Sequence, residues 1–229
     1  MRQDTLAALP RICRIALVNP NTSAASTERM LASARAVLPD DARLQGHTAQ
    51  SGQEFIADAK ALAAAAQMMA SFGPAIVAAG GVDAMIVSGF GDPGLLAIRR
   101  QVPISVTGLA EASLAEAARG GRRFSIVTVT PALHDSLMEA AHAHGAQGQL
   151  ASIRYTEGAL ADVMLTPDSL ERALLQSCLQ AIADDGAQVI VIGGGPLAQA
   201  AGRLAVQVGI PVIDPVAAAV RLAYARCRP

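Results

Sequence analysis

Residues 84–94, AMIVSGFGDPG, hold the pattern that decides the fold of this 229-residue chain. Four apolar residues are followed by a loop that contains three glycines, a serine, a phenylalanine and an aspartate. A buried strand that ends in small residues brings backbone to a cleft, because only glycine lets a ligand approach the main chain so closely. About a hundred residues further along, residues 188–197, QVIVIGGGPL, repeat the pattern. The two stretches predict one site with two facing walls.

The composition favours helices packed on a buried sheet. Hydrophobic residues make up 52% of the chain and charged residues 16%, and the net charge is −1. Without a long basic run or any tryptophan, the chain lacks the features that nucleic-acid capture and base stacking require. No apolar run is expected to reach the roughly 18 residues of a membrane span, because the longest candidate, residues 61–70, is followed by SFGP. Residues 1–10 are read as a poorly ordered leader and not as a secretory signal.

The cysteines indicate the compartment. Cys13, Cys178 and Cys227 are odd in number and show no CxxC spacing. This pattern favours free thiols in a reducing cytoplasm over a disulfide framework or a zinc site. The sequence therefore predicts a cytoplasmic protein with no metal centre.

The two halves of the chain correspond to each other. RIALVNPNTS (14–23) matches FSIVTVTPAL (124–133), and QVPISVTGLAEAS (101–113) matches GIPVIDPVAAAV (209–220). Together with the two glycine loops, these pairs are offset by 111, 104 and 108 residues, measured from Ile15, Ile86 and Pro103. Strands that alternate with helices predict parallel βαβ units. Residues 54–79 are expected to form one or two helices, interrupted at Gly73-Pro74.

This repeat predicts an α/β fold of two pseudo-symmetric lobes, each a short, mainly parallel sheet flanked by helices. The first lobe comprises residues 11–106 and 213–229, and the second comprises residues 107–212. Ligands of parallel sheets bind beyond the carboxyl ends of the strands. The site is therefore expected in the interlobe cleft, where residues 19–23, 88–92, 128–130 and 193–196 converge.

Three of these motifs carry a family resemblance over roughly residues 11–226. NPNTS after the first strand, FGDPGL after the central strand and IVIGGG in the second half resemble the hydantoin and allantoin racemase branch of the aspartate/glutamate racemase superfamily. The resemblance implies two α/β lobes around a cleft and catalysis without cofactor or metal. It also implies two cysteines on opposite faces of the substrate's α-carbon, one thiolate removing a proton and the other thiol returning one.

Both cysteine positions of that family are occupied by glycine in this chain. The resemblance places the first thiol directly before FGDPG, at Gly89, and the second at Gly194. Cys13, Cys178 and Cys227 lie elsewhere in the sequence and do not substitute for them by position. The resemblance therefore carries over the fold and the substrate-holding loops, but not the two-thiol chemistry.

Other groups near the predicted cleft are candidates with alternatives. Asp92 is either a base or a turn former before Pro-Gly, and Thr130 either binds a carboxylate or caps the next helix. His47 and His134 are possible acids or bases, whereas His142 and His144 are expected to be solvated. We predict Gly89, Gly194, Ser88 and Asp92 at the catalytic centre. The predicted substrate-binding residues are Asn19, Thr22, Ser23, Phe90, Gly91, Thr128, Thr130, Gly193, Gly195 and Pro196.

Three functions remain open from the sequence alone. The first is a cofactor-independent isomerase acting at a carbon α to a carbonyl group of a small carboxylate or cyclic ureide. The second is a cofactor-independent lyase such as a decarboxylase of substituted malonates, which depends on oxyanion stabilisation more than on a strong base. The third is a non-catalytic binder of small carboxylates. The expected partner is thus a small molecule, neither nucleic acid nor a membrane, and homo-oligomer formation is left open.

Overall fold

The protein consists of strands and helices that alternate along the chain, as described by a computed structural model for residues 12–228. The predicted leader, residues 1–10, lies outside these residues. The strands are β1 (Cys13–Asn19), β2 (Ala42–Thr48), β3 (Ala84–Val87), β4 (Ser105–Gly108), β5 (Phe124–Thr128), β6 (Leu150–Tyr155), β7 (Val189–Ile192) and β8 (Val212–Ile213). The helices are α1 (Ala24–Arg35), α2 (Ala59–Ala78), α3 (Leu95–Arg99), α4 (Leu109–Ala117), α5 (His134–Ala143), α6 (Leu160–Val163), α7 (Pro167–Ala183), α8 (Ala201–Val208) and α9 (Pro215–Cys227).

The strands form two four-stranded parallel sheets with the same topology. The orders are β2-β1-β3-β4 and β6-β5-β7-β8, so the central strands of both sheets occupy equivalent places. Every residue of β3 and β7 is buried, as expected for strands covered on both faces. The predicted α/β fold with two similar parallel sheets is confirmed.

One continuous core joins the two sheets. Ile15 and Ile86 of the first sheet share a buried cluster with Ile126 and Val191 of the second sheet and with Leu114 of α4 between them. Helix α9 packs on β1, β3 and β4, and α4 contacts strands of both sheets. Separate clusters cover the outer faces, against α2 on the first sheet and against α7 and α8 on the second. The loops that follow β3 and β7 are therefore attached to sheets that share one core.

The predicted lobe boundaries fall inside strands. The predicted boundary after residue 106 divides β4, which belongs to the first sheet as far as Gly108. The predicted boundary after residue 212 divides β8, whose Ile213 belongs to the second sheet. These two strands begin only after Pro103 and Pro211, because proline has no N–H to donate to a sheet ladder. The division into two lobes stays a prediction.

Helix α2 does not break at Pro74, and the predicted interruption is wrong. Proline cannot donate to the carbonyl four residues earlier, but Gln101 Nε2 donates to that oxygen, Ala70 O, at 2.9 Å. The unbroken helix has 20 residues, and an 18-residue window has a mean hydropathy of 1.5, long and apolar enough by length and composition to cross a membrane. The expectation that no apolar stretch reaches this length is therefore also wrong. Met69 and Ile76 of α2 pack on the first sheet.

The cysteine prediction is wrong as well, because Cys13 and Cys227 form a disulfide with a Cα–Cα distance of 6.3 Å. The bond joins the first residue of β1 to the last residue of α9, 214 positions apart. Cysteines so distant in sequence give no spacing signal, and only the fold brings β1 and α9 together. Cys178 is the free cysteine among the described residues, and its burial raises the pKa of the thiol to about 12.

Removing this disulfide is expected to lower stability strongly. The bond closes a loop of more than two hundred residues, and such cross-links typically add about 2–4 kcal/mol by restricting the unfolded chain. The Cys13→Ala/Cys227→Ala variant is expected to melt about 5–15 °C lower, and a reducing agent is expected to lower the melting temperature of the wild type but not of the variant. Thiol titration of the unreduced, unfolded wild type giving three free thiols would contradict the assignment.

Candidate active site

The glycine loops of the two sheets meet at one cavity. Its volume is about 60 Å³, and residues from both sheets' strand-end loops form its wall. A Cβ atom built on Gly195 would lie 3.2 Å from Ser88 O and would overlap Met30 Sδ. The two loops therefore approach so closely that any side chain at position 195 would require Met30 and the Ser88 backbone to shift. The residues that line the cavity are Pro20, Asn21, Phe55, Ile56, Leu62, Ser88, Gly89, Phe90, Thr128, Val129, Thr130, Leu133, Gly193, Gly194, Gly195, Pro196 and Leu197.

Most of the predicted site residues lie in this wall. From the first sheet come Ser88, Gly89 and Phe90, and from the second come Thr128, Thr130 and the 193–196 loop. Gly89 and Gly194 share the cavity, as the duplicated sequence pattern predicts. Their roles stay predictions.

Four predicted site residues lie behind or beside the wall. Asn19 is fully buried, and its Nδ2 donates to Asn21 Oδ1 at 2.8 Å and to Thr27 Oγ1 at 3.0 Å, which holds the NPNTS turn together. Ser23 caps α1 by accepting from Ser26 N. Thr22 donates its backbone N–H to Gln53 O at 3.0 Å, and Gly91 lines a different, outer cavity.

Asp92 points away from the cavity. Its Oδ1 accepts from Ala110 N at 2.9 Å and its Oδ2 from Glu111 N at 2.8 Å, at the start of α4. The residue has a φ of 51°, in the left-handed region where aspartate is one of the few tolerated non-glycine residues. Of the two sequence alternatives, the structure matches the turn former.

The polar part of the wall combines unpartnered hydrogen-bond donors with two hydroxyls that are already engaged, since Ser88 Oγ donates to Val18 O at 2.8 Å and Thr128 Oγ1 to Gly193 O at 2.7 Å. Asn21 Oδ1 accepts from Ser23 N and from Asn19, whereas Asn21 Nδ2 has no partner among residues 12–228. The Thr130 hydroxyl has one long contact, 3.4 Å to Thr128 Oγ1, and does not cap the following helix. No backbone hydrogen bond within the described chain uses the N–H groups of Gly89, Phe90 or Thr130. These groups suit a carboxylate or an imide oxygen.

The lining residues carry no acid or base. Among the described residues of the wall there is no thiol, carboxyl, imidazole, amine or phenol. The predicted candidates lie elsewhere: His134 Nδ1 is 2.8 Å from Tyr155 Oη at an exposed position, and burial lowers the pKa of His47. Asp214 caps α9 through Val216 N and Ala217 N, and its burial raises the pKa of the carboxyl against the pull of these N–H groups.

The predicted site residues leave out one polar and several apolar residues of the wall. Asn21 lies inside the NPNTS motif, so its position was available, but which of two asparagines faces the cavity depends on the turn geometry. Phe55 and Ile56 come from the loop between β2 and α2, which has no recognisable motif. The other apolar residues left out are Pro20, Leu62, Val129, Leu133 and Leu197.

A larger hollow of about 650 Å³ lies at the amino ends of β1 and β2, between Arg14, Arg43 and Gly81. Parallel sheets bind ligands at the opposite, carboxyl ends of their strands. The small cavity also has unpartnered backbone N–H groups from the loops of both sheets. We therefore take the small cavity as the candidate site.

Glu111, at the start of α4, supports the loop that contains Asp92, because its N–H donates to Asp92 Oδ2. Its carboxylate accepts from Arg99 at 2.7 Å and from Arg226 at 2.8 Å. Burial raises the pKa of Glu111, but the bonds to Arg226, Arg99 and Gly108 N outweigh it and lower that pKa from 4.5 to about 2. The charged form is thus stabilised in the folded state.

This shift predicts a pH dependence of stability. A carboxyl group whose pKa is lower in the folded state stabilises above its unfolded pKa, and the contribution is lost as the pH falls from about 4.5 to about 2. Glu111→Gln is expected to lower the free energy of unfolding at pH 7 by about 2–3 kcal/mol and to flatten its acid dependence. The matched control is Glu28→Gln, since Glu28 is 71% exposed. Parallel acid-unfolding curves for wild type and Glu111→Gln would contradict the assignment.

Comparison with known proteins shows a coherent set of relatives. The family model described as Asp/Glu/Hydantoin racemase matches residues 15–223. A hydantoin racemase of Rhizobium meliloti is 32% identical over 217 residues, 92% of this chain and 87% of that protein. A hydantoin racemase of Pseudomonas sp. (strain NS671) is 36% identical over 143 residues, which span 62% of this chain and 57% of that protein. The solved structure of allantoin racemase from Klebsiella pneumoniae superposes with a TM-score of 0.87 at 32% identity, covering 93% of this chain and 86% of that one.

Proposed function

The chain belongs to the Asp/Glu/hydantoin racemase family, and we propose that it is a cofactor-independent isomerase acting at a carbon α to a carbonyl group of a small carboxylate or cyclic ureide. The observation that carries the proposal is the cavity at the carboxyl ends of both sheets, lined by unpartnered backbone N–H groups and by the Thr130 hydroxyl, whose one contact is 3.4 Å long. Donors aimed at the carbonyl oxygen stabilise the enolate that forms when the α-proton leaves.

We also propose that Gly89 and Gly194 occupy the positions of the family's two thiols. They lie in one cavity wall, one from each sheet, as groups on opposite faces of an α-carbon would. Since the wall holds no ionisable group, the proton is carried by solvent, leaving from one face and returning to the other. The protein then supplies binding and enolate stabilisation, and its turnover is expected to be slower than that of a two-thiol enzyme.

The cavity is smaller than a ureide ring, so its wall has to move to admit such a ligand. A cavity of about 60 Å³ holds roughly two water molecules, less than a ureide ring. Phe55 and Ile56 belong to the β2–α2 loop, which is tied to the NPNTS turn by the bond from Thr22 N to Gln53 O. We propose that this loop opens for the substrate.

One observation favours a second candidate, a decarboxylase. Loss of CO₂ breaks the C–C bond and leaves its electron pair in the enolate, so no base is needed, and water then supplies the proton. A wall of donors and apolar side chains without any base suits this reaction as well as isomerisation.

The cytoplasmic location expected from the sequence stays a prediction, and the disulfide removes the support that the cysteine pattern gave it.

NMR in D₂O separates these functions. The purified protein is incubated with 5-alkylhydantoins, allantoin, 2-alkyl carboxylates and 2-alkylmalonates, and the α-proton signal and CO₂ are followed. Exchange of the α-proton with inversion and without CO₂ supports the isomerase, and CO₂ release from malonates supports the lyase. Binding without any turnover would overturn both and leave a small-carboxylate binder.

The Thr130 hydroxyl provides a variant test of the cavity. Thr130→Val removes one donor without changing the shape of the side chain, and ligand affinity is expected to fall roughly 3- to 10-fold. Thr22→Val is the matched control, because Thr22 was an equal candidate in the sequence but does not line the cavity. Equal effects of the two variants would count against this site.

A further inference from the structure

Asp92 forms a junction between the site loop and the rest of the fold. Its carboxylate accepts the two N–H groups at the start of α4. Its backbone N–H donates to Gly89 O at 3.0 Å, and Gly89 and Phe90 form part of the cavity wall. A displacement of Asp92 is therefore transmitted directly to the backbone that faces the cavity.

The third partner of this carboxylate comes from the second half of the chain. His144, the residue at which α5 ends, lies with Nε2 2.9 Å from Asp92 Oδ2. The side chains are only 17% and 5% exposed, so solvent screens this contact little. The expectation that His144 is a solvated surface residue is wrong, and no sequence signal places it near position 92, 52 residues away.

We propose that His144 is a positioning residue for the site, holding the Gly89–Asp92 turn in place from the opposite lobe. The path runs from the imidazole to the Asp92 carboxylate, and from the Asp92 N–H to Gly89 O. Helix α5 follows β5 and the loop that brings Thr130 to the cavity. The same contact therefore links the cavity residues of the second sheet to Gly89 and Phe90 of the first. The inference rests on the proposed function only in taking this cavity as the site.

Hydrogen exchange of the Asp92 amide, measured by NMR on the ligand-free protein, tests the proposal without any substrate. His144→Phe keeps a ring but removes the donor, and we expect the Asp92 amide to exchange about tenfold faster. His144→Gln keeps an N–H donor at a similar reach, and exchange is expected to return to within threefold of wild type. His142→Phe is the matched control, because His142 is exposed on the same helix and bonds to Gln147 instead.

The exchange measurement uses no substrate, so it can fail or succeed independently of the functional assays. Unchanged exchange in His144→Phe, or equal exchange in His144→Gln and His144→Phe, would overturn the proposal. A uniform acceleration of all slow amides would do so too, because it would show a global loss of stability. In an Asp92→Asn background, His144→Phe is expected to add less than twofold, since the carboxylate that transmits its effect is gone.

Discussion

The Gly89→Cys/Gly194→Cys variant is expected to racemise a 5-alkylhydantoin at least roughly a hundredfold faster than the wild type. Positioned acid–base groups contribute about 10²–10⁴ to such rates, and the wild-type wall has none. Two thiols in the same cavity, one from the loop of each sheet, would supply one group for each face of the α-carbon. Chiral chromatography and α-proton exchange in D₂O measure the gain.

The two substitutions differ in their structural cost. A Cβ on Gly194 would meet the flexible end of Leu197 at 3.1 Å, whereas a Cβ on Gly89 would lie 2.8 Å from Pro20 Cγ and 3.0 Å from Pro93 Cδ. Rigid proline rings cannot swing away, so Gly89→Cys is expected to cost about 1–3 kcal/mol of stability. Gly194→Cys alone is expected to fold normally and to exchange the α-proton with retention.

The Gly89→Ser/Gly194→Ser variant is the control for this experiment. It adds nearly the same volume to both walls but no group that ionises near neutral pH, and we expect no gain in rate. If the double cysteine variant folds and binds the hydantoin but never exchanges its α-proton, the placement of the two thiol positions is wrong.

Gly108→Ala is expected to lower the free energy of unfolding by about 3–5 kcal/mol. A Cβ at this position would overlap the Asp92 carboxylate. The carboxylate would have to leave its bonds to Ala110 N, Glu111 N and His144, and overpacking adds to the loss of these bonds. Denaturant unfolding measures the change, and the amide signals of the Gly89–Asp92 turn are expected to shift with it.

Gly202→Ala is the matched control. A Cβ there meets no atom within 4 Å, and alanine is a better helix former than glycine by about 0.5–1 kcal/mol. The control is therefore expected to be neutral or slightly stabilising. A Gly108→Ala protein as stable as Gly202→Ala would show that the carboxylate is not held against residue 108.

The fold was predictable because buried parallel strands leave a continuous apolar signature. VIVI at 189–192, the apolar run within the second glycine stretch, appears in the structure as β7, and the repeat of turn motifs correctly indicated two sheets. Helix α2 was misjudged because a residue distant in sequence, Gln101, satisfies the carbonyl that Pro74 leaves free. Such compensation has no local signal.

The site was predictable only where a motif marks a strand end. Gly89 and Gly194 follow buried strands, so the topology alone brings them to one cavity. The roles of Asn19 and Asn21 depend on how a single turn distributes its hydrogen bonds. His144 and the Cys13–Cys227 bond were misread because each depends on a contact between segments far apart in the chain.

Amide NMR of the ¹⁵N-labelled protein during titration with a 5-alkylhydantoin tests the central claim most directly. If the cavity between the two glycine loops is the ligand site, the signals of Gly89, Phe90, Thr130 and Gly194 shift most, and they shift together with one dissociation constant. Shifts confined to Arg14, Arg43 and Gly81 around the larger hollow, or no saturable shifts with any ureide or 2-alkyl carboxylate, would contradict this assignment of the site.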